Sequence, residues 1–171
     1  MSKFLPLLVL LLITACQSGP YPYDSPYYRI PVGSRIEVKQ VLTIPANRAR
    51  VYFQYGKSVQ QHEVDQYFAH CWFLSWEVPD KKQTIKPGTF IVTRVQEFED
   101  YVFRRKTMLL ATSRNVQIKG AHDSLTAIEY LTELTIHSAE QPNIRKLVCN
   151  HWEDPSDARH LTLADIRSGD F

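Results

Sequence analysis

Apolar and polar residues alternate with a period of two over much of the chain from residue 35 onward. In the first such segment Ile36, Val38, Leu42 and Ile44 fall on one face, and charged or polar residues fall on the other. Successive side chains of a β-strand point to opposite sides of the sheet, so this alternation predicts a half-buried strand over 35–44.

Six further segments have strand character. We predict strands over 50–54, 71–78, 89–98, 107–118, 127–137 and 144–149, with the fourth of these split near residues 114 and 115. The last strand is expected to end in the polar stretch 150–157. About seven short strands separated by Gly and Pro turns predict a mainly β fold, an antiparallel sandwich or an open barrel.

Turn signals separate these segments. Pro87-Gly88 predicts a type II turn in which Gly88 supplies a positive φ, and residues 120–123 predict another turn. Residues 58–68 carry apolar positions that fit one helical face, but no stop signal precedes the next strand, so this segment remains undecided.

One short helix is predicted near the end of the chain, over 161–166. Thr162 is placed to act as its N-cap, with Asp165 as the acidic partner three residues later. Leu161 and Ile166 flank this pair and are expected to pack together as a hydrophobic staple.

An apolar run over 4–13 follows a start that carries one basic side chain, Lys3. The run is about ten residues long, whereas a helix that spans a bilayer needs roughly twenty. A short apolar run behind a positive charge is typical of a secretory signal peptide.

The four residues that end this run resemble the lipobox of bacterial lipoproteins, in which an aliphatic residue and two small residues precede a cysteine. They are Ile13, Thr14, Ala15 and Cys16. The resemblance implies cleavage before Cys16 and acylation of its thiol, which would anchor the protein in a membrane. Because Gln17 rather than Asp follows, the resemblance further implies the outer membrane, with the domain facing the periplasm and the inner membrane or cell surface as alternatives.

The chain then divides into a signal peptide over 1–15, a lipidated cysteine with a Pro- and Tyr-rich tether over 16–34, and a single β domain over 35–171. Prolines fix φ and remove amide donors, so the tether is predicted to be neither helix nor central strand. At about 3.1 Å per residue in an extended proline-rich conformation, its roughly 18 residues reach up to about 55 Å.

The segment 42–54, followed by Asp65, Tyr67 and Cys71, resembles small uncharacterised envelope lipoproteins of proteobacteria. The resemblance covers about a third of the mature chain and consists of strand pattern rather than of catalytic motifs. It implies a compact β domain and assigns no active residues.

Charge and cysteine content restrict the function further. The 20 Lys and Arg residues nearly balance the 18 Asp and Glu residues, so no basic face for nucleic acid is predicted. With Cys16 acylated, Cys71 and Cys149 remain, and an even pair in an exported chain predicts a disulfide.

Candidate chemistry is sparse. His70 adjoins Cys71 and His151 lies two residues after Cys149, so a metal site or an enzyme centre that uses both histidines is an alternative. We favour surface histidines beside a disulfide, because His70 should face away from Cys71 whereas His151 shares a face with Cys149. No metal, cofactor or catalytic residue is predicted.

Aromatic residues supply the remaining candidate contacts. Trp72, Trp76 and Tyr52 could line a groove for a glycan, small ligand or partner, although aromatic residues also dominate β-sheet cores. We expect a non-enzymatic interaction module, held at the membrane by its lipid, that acts through an unidentified envelope protein partner.

Overall fold

The computed structural model describes residues 21–25, 27–106, 109–112, 115–118, 122–157 and 159–167. The predicted signal peptide and Cys16 lie outside these residues, as do parts of the predicted turn at 120–123 and of the strand break near 114. Among the described residues, no helix combines the length and the apolar character that crossing a bilayer requires.

The described residues form eleven strands and a short C-terminal helix. The strands are β1 (Arg35–Val38), β2 (Leu42–Ile44), β3 (Arg50–Gln54), β4 (Lys57–Val59), β5 (His70–Ser75), β6 (Gln83–Ile85), β7 (Gly88–Lys106), β8 (Leu109–Thr112), β9 (Asn115–Ile118), β10 (His122–His137) and β11 (Ile144–Glu153). A 3-10 turn spans Gln61–Glu63, and helix α1 spans Leu163–Arg167.

Seven strands pair antiparallel in the order β1-β7-β10-β11-β5-β3-β4 and curl into a half-barrel. Strands β2 and β6 form a separate two-stranded ladder, as do β8 and β9. The predicted fold class, a mainly β protein built as a sandwich or open barrel with a short C-terminal helix, is confirmed.

The core is built from the inward side of this sheet and from the β2–β6 ladder. Phe53, Phe73 and Phe90 are fully buried, with ring centroids 5.6 Å apart in the first pair and 5.8 Å apart in the second. Leu42 of β2 and Ile85 of β6 are buried in the same cluster. The ladder therefore closes one side of the core.

The predicted disulfide forms between strands β5 and β11. Cys71 and Cys149 are directly opposed in the sheet, with an S–S distance of 2.07 Å and a Cα–Cα distance of 4.0 Å. Both residues belong to the buried core. The bond thus joins the two strands at the centre of the half-barrel.

The first predicted strand is divided. Residues 35–38 join the large sheet as β1, whereas 42–44 form β2 of the ladder, so the chain changes layers at 39–41. The period-two pattern of burial continues on both sides of residues 39–41. Val38, Leu42 and Ile44 are all buried, and Ile36 is partly buried. The prediction of one continuous strand was wrong for this reason.

The predicted type II turn at Pro87-Gly88 was also wrong. The chain bends at Pro87, but Gly88 already begins β7 opposite Val38 and is not among the described glycines with positive φ. The side-chain amide of Gln141 accepts the backbone N–H of Lys86 (2.8 Å) and donates to its carbonyl (3.0 Å). Gln141 therefore pairs with the backbone of Lys86 as a neighbouring strand would.

A tight hairpin turn lies instead at Tyr55-Gly56, between β3 and β4. Both residues have positive φ, 51° and 71°, as a two-residue type I′ turn requires. The undecided segment 58–68 contains the end of β4 and the 3-10 turn, with no α-helix.

The predicted C-terminal helix is confirmed together with its cap. Thr162 Oγ1 accepts the backbone N–H of Asp165 (3.1 Å), and Asp165 Oδ2 accepts the backbone N–H of Thr162 (2.8 Å). Leu161 and Ile166 are both buried in the core. The helix is thereby fixed against the inward side of the sheet.

Reducing the Cys71–Cys149 bond should lower the free energy of unfolding. The bond closes a loop with a sequence separation of 78, for which the chain-entropy relation gives about 4.5 kcal/mol. Urea unfolding of oxidised and reduced protein, followed by far-UV circular dichroism, measures the difference. The variant Cys71→Ala/Cys149→Ala serves as control and should not change stability on reduction; equal stabilities of oxidised and reduced wild type would contradict the prediction.

Candidate functional site

His70 and His151 lie on opposite sides of the sheet. His70 of β5 is opposed to Asn150 of β11, and directly opposed residues share a face. His151 is the next residue along β11, so its side chain points to the other face. The two imidazoles therefore do not converge on one site. This separation agrees with the prediction made from strand geometry.

His70 is buried on the outward side, with 3 % of its surface exposed. Its Nδ1 lies 3.0 Å from the carbonyl oxygen of Phe68, and its ring stacks on Trp72 with centroids 6.0 Å apart. Burial lowers the pKa of His70. These contacts indicate a neutral histidine packed as part of the sheet, so the expectation of a surface histidine was wrong.

His151 is equally buried but faces inward. Its Nε2 lies 3.1 Å from Glu153 Oε1, and its ring stacks on Tyr130 at a centroid distance of 5.8 Å. Burial, and next the nearby charge of Arg159, lower the pKa of His151 to about 4. Strand β11 continues to Glu153 because β10 supplies partners there, so the prediction that it ends near residue 149 was wrong.

Tyr130 lies between two histidine–glutamate pairs. His160 makes an edge-to-face contact with the Tyr130 ring at 4.8 Å, and its Nε2 is 3.0 Å from Glu99 Oε1. Burial raises the pKa of Tyr130. We call Tyr130, His151, His160, Glu99 and Glu153 the histidine–tyrosine cluster.

The C-terminal segment is attached to the sheet through this cluster. Arg159 Nη1 lies 2.8 Å from Asp165 Oδ2, and Arg159 Nε lies 3.7 Å from Glu153 Oε1. The side-chain hydrogen bond from Arg159 and the bonds from Thr162 hold the pKa of Asp165 below its ordinary value despite burial. Residues 159–167 are thus held on the sheet by the contact of Arg159 with Glu153 and by that of His160 with Glu99.

Cys71 and Cys149 cannot act as metal ligands, since they are bonded to each other. In the ranges that the structure describes, no three His, Cys, Asp or Glu side chains are arranged to hold a metal ion. Among these residues, neither His70 nor His151 therefore lies with the further ligands that a metal ion would need.

Two of the three aromatic candidates lie together on the outward side of the sheet. Tyr52 of β3 is directly opposed to Trp72 of β5, and their rings are 5.4 Å apart. Arg50 lies over the Trp72 ring at 5.6 Å and its Nη1 donates to Tyr52 Oη at 3.3 Å. We call Arg50, Tyr52 and Trp72 the aromatic platform.

Trp76 is not part of this platform. It follows the end of β5, is 64 % exposed, and holds the guanidinium of Arg145 at 5.1 Å from its ring. Trp72 is only 8 % exposed. Of the three aromatic residues proposed as contacts, Tyr52 and Trp72 share one location and Trp76 makes a separate cation–π contact.

Two clefts open on the molecule near these groups. One, of about 410 Å³, adjoins the platform where β3 and β4 diverge, and it is lined by residues that include Arg48, Tyr52 and His62. The other, of about 470 Å³, lies between β1 and α1 and reaches the core residues Leu134 and Leu147.

Searches against protein-family models, curated proteins and solved structures found no match to this chain.

Sequence reasoning missed several residues of the cluster. His160 and Glu99 are 61 positions apart and meet only because the C-terminal segment folds back onto β7. The period-two pattern places Tyr130 on the inward face, and this is the one signal that could have indicated its role.

Lowering the pH should destabilise the protein through His151. The folded state disfavours protonated His151, so this stability is complete above the unfolded pKa of about 6.5 and is lost as pH falls towards 4. Between pH 7 and pH 5 the loss is about 2 kcal/mol, in addition to a loss of the same sign from His70.

The variant His151→Gln should show a correspondingly smaller loss, measured by urea unfolding at both pH values. His137→Gln removes an exposed histidine and should follow wild type. If His151→Gln and wild type lose the same stability, the assignment of a low folded-state pKa to His151 is wrong.

Proposed function

We propose that this protein is a lipid-anchored envelope protein whose β domain acts as a non-enzymatic interaction module. The observation that carries the proposal is the lipobox-like sequence at 13–16 behind a short apolar run. In this proposal the leader is removed before Cys16, and acyl chains on Cys16 hold the protein in the outer membrane. The domain then faces the periplasm.

The attachment of the tether to the domain supports this proposal. Arg29 Nε lies 3.6 Å from Glu97 Oε2 on β7. The backbone N–H of Gly33 donates to Val92 O (2.8 Å), and Val92 N–H donates to Ser34 O (2.9 Å). The tether thus joins the sheet beside β1, and an anchor at Cys16 would act on that side of the domain.

An extended two-stranded ribbon supports a role in protein contacts. Strand β11 pairs with β10 as far as Ile128, but β7 and β10 continue to pair from Val102 and Ala127 to Lys106 and His122. No further strand pairs with this ribbon among the described residues.

Two large apolar side chains are exposed on one face at the base of the ribbon. Tyr101 is 53 % exposed and Leu125 39 %, and Leu125 is opposed to residue 103, which shares a face of β7 with Tyr101. Exposed aromatic and aliphatic groups on a rigid element suit the apolar centre of a protein interface. A membrane anchor also raises the effective concentration of such a surface near other envelope proteins.

The alternative of an envelope metal-binding protein or enzyme that uses His70 and His151 is less well supported. The two side chains lie on opposite faces of the sheet, and both approach groups of the protein itself. The alternative of a small-ligand or glycan binder rests on the aromatic platform, which has an open cleft beside it.

Replacing Cys16 should release the protein from the membrane. We expect wild type to remain in the membrane fraction after carbonate washing and Cys16→Ser to be lost from it, because acyl chains supply the attachment. Intact-mass spectrometry of protein from its own host should show a diacylglyceryl group on Cys16. Gln17→Ser is the control and should stay attached, whereas Gln17→Asp should move to the inner membrane. An unmodified Cys16 thiol in the wild type would refute the anchor.

A photo-crosslinking residue at position 101 should capture one discrete partner in intact cells, because Tyr101 is exposed at the ribbon base on the same face as Leu125. The change Leu125→Glu should reduce the captured product at least several-fold by placing a charge in the contact. A crosslinker at the exposed Lys81 is the control. The same products from positions 101 and 81, or no effect of Leu125→Glu, would argue against the ribbon as the contact surface.

A further inference from the structure

We infer that the cleft beside the aromatic platform binds a sugar that carries an acidic group, either a carboxylate or a phosphate. This inference goes beyond the proposed function and holds whether or not Cys16 carries lipid. It assigns a ligand class to a place where the sequence suggested only aromatic contacts.

The charge of the cleft favours an anion. Its lining includes Arg48, Arg50 and His62, and none of the lining residues is Asp or Glu. No carboxylate among the described residues lies within ion-pair distance of either arginine. Two guanidinium groups beside an open cleft suit a carboxylate or a phosphate, since their planar N–H groups match the oxygens of both.

Acidic residues near the cleft do not cancel this charge. Glu63 is engaged in its own turn, where its Oε2 accepts the backbone N–H of Gln60 at 2.8 Å. The neighbouring segment 77–82 carries two acidic residues and two lysines, so it adds no net charge.

The platform holds Arg50 without neutralising it. The guanidinium packs over Trp72 and donates one hydrogen bond to Tyr52. A guanidinium has five N–H donors, so this arrangement fixes its position while leaving donors for a ligand. Tyr52 lines the cleft, and the proposal places the C–H groups of the sugar ring against its aromatic ring.

The backbone of Arg50 is directed to the same place. Ser75 N–H of β5 donates to Ala49 O at 2.9 Å, so the amide groups of residue 49 point towards β5. Successive residues of a strand alternate, so the N–H and carbonyl of Arg50 point to the opposite side of β3. Strand β4 ends at Val59, opposed to Tyr52, and leaves this part of the edge without a strand partner among the described residues.

The loop that carries Arg48 is held in a defined conformation. Asn47 has a φ of 60°, in the left-handed region that non-glycine residues seldom adopt. Its backbone N–H donates to Pro79 O at 2.8 Å. The loop is thus anchored on both sides of Arg48, at Asn47 and at Ala49, which reduces the ordering cost of binding.

The size and polarity of the cleft fit a small acidic sugar. Its volume of about 410 Å³ lies within the range of roughly 300–1,000 Å³ that ligand sites occupy. Ser58 and Gln61 also line it and can exchange hydrogen bonds with sugar hydroxyls. The acidic group would lie between Arg48 and Arg50, with the ring on Tyr52.

Isothermal titration calorimetry on the full-length protein in detergent micelles tests the inference. The probes are N-acetylmuramic acid, N-acetylglucosamine 6-phosphate, neutral N-acetylglucosamine, and inorganic phosphate alone. We expect both acidic sugars to bind at least about ten-fold more tightly than the neutral sugar, because hydrogen bonds to a charged group are stronger than those to a neutral one. Inorganic phosphate should bind more weakly than the sugar phosphate, since it lacks the ring.

Two variants separate the parts of the site. Arg48→Glu should weaken both acidic sugars about ten-fold or more, and Tyr52→Leu should remove the advantage of the sugar phosphate over inorganic phosphate. The matched control is Lys39→Glu, which makes the same charge change at an exposed residue of the other cleft. Circular dichroism of each variant confirms that the fold is retained.

Several results would overturn the inference. These are equal binding of the neutral and acidic sugars, equal effects of Arg48→Glu and Lys39→Glu, or no heat from any sugar at millimolar concentration. Tight binding of inorganic phosphate that is unchanged in Tyr52→Leu would leave an anion site but exclude a sugar. None of these outcomes bears on Cys16, so the sugar site and the proposed lipid anchor are tested independently.

Discussion

The bond between Cys71 and Cys149 connects directly opposed residues of two neighbouring central strands, and it lies in the core. A one-residue slip between β5 and β11 would move every side chain of one strand to the other face. The covalent link forbids that slip. It therefore determines that His151 points inward to Tyr130, whereas His70 points outward to Trp72, and both sides of the sheet depend on this register.

Local patterns in the sequence predicted most strands and the capped helix, because their causes are local. Alternation marked Val51 and Phe53 in β3, and Thr162 with Asp165 marked the start of α1. The disulfide was also predictable, since the predicted export of the chain and acylation of Cys16 leave Cys71 and Cys149 as a single pair. What these patterns could not give was the layer to which each strand belongs, as the division of 35–44 between two sheets illustrates.

The candidate sites were less predictable, because they form from residues far apart in the chain. Glu99 meets His160 only after β7 pairs with β10 and the C-terminal segment folds back. Likewise, Arg50 gains its position from Trp72 across the β3–β5 pairing. Gly88 shows the reverse error: its local pattern predicts a turn, whereas pairing with Val38, fifty residues away, places it at the start of a strand.

The segment between β1 and β2 relates the proposed anchor to the proposed sugar site. Strands β1 and β4 lie at the two ends of the strand order, but Gln40, two residues after β1, donates from its Nε2 to Gly56 O in the β3–β4 turn at 3.2 Å. The curl of the sheet therefore brings its two edge strands near each other. Strand β2 follows directly and supplies Thr43 to the lining of the cleft. The proposed site thus lies where the chain itself joins the two edges of the sheet, and residues 39–41 connect it to the strand that follows the proposed tether.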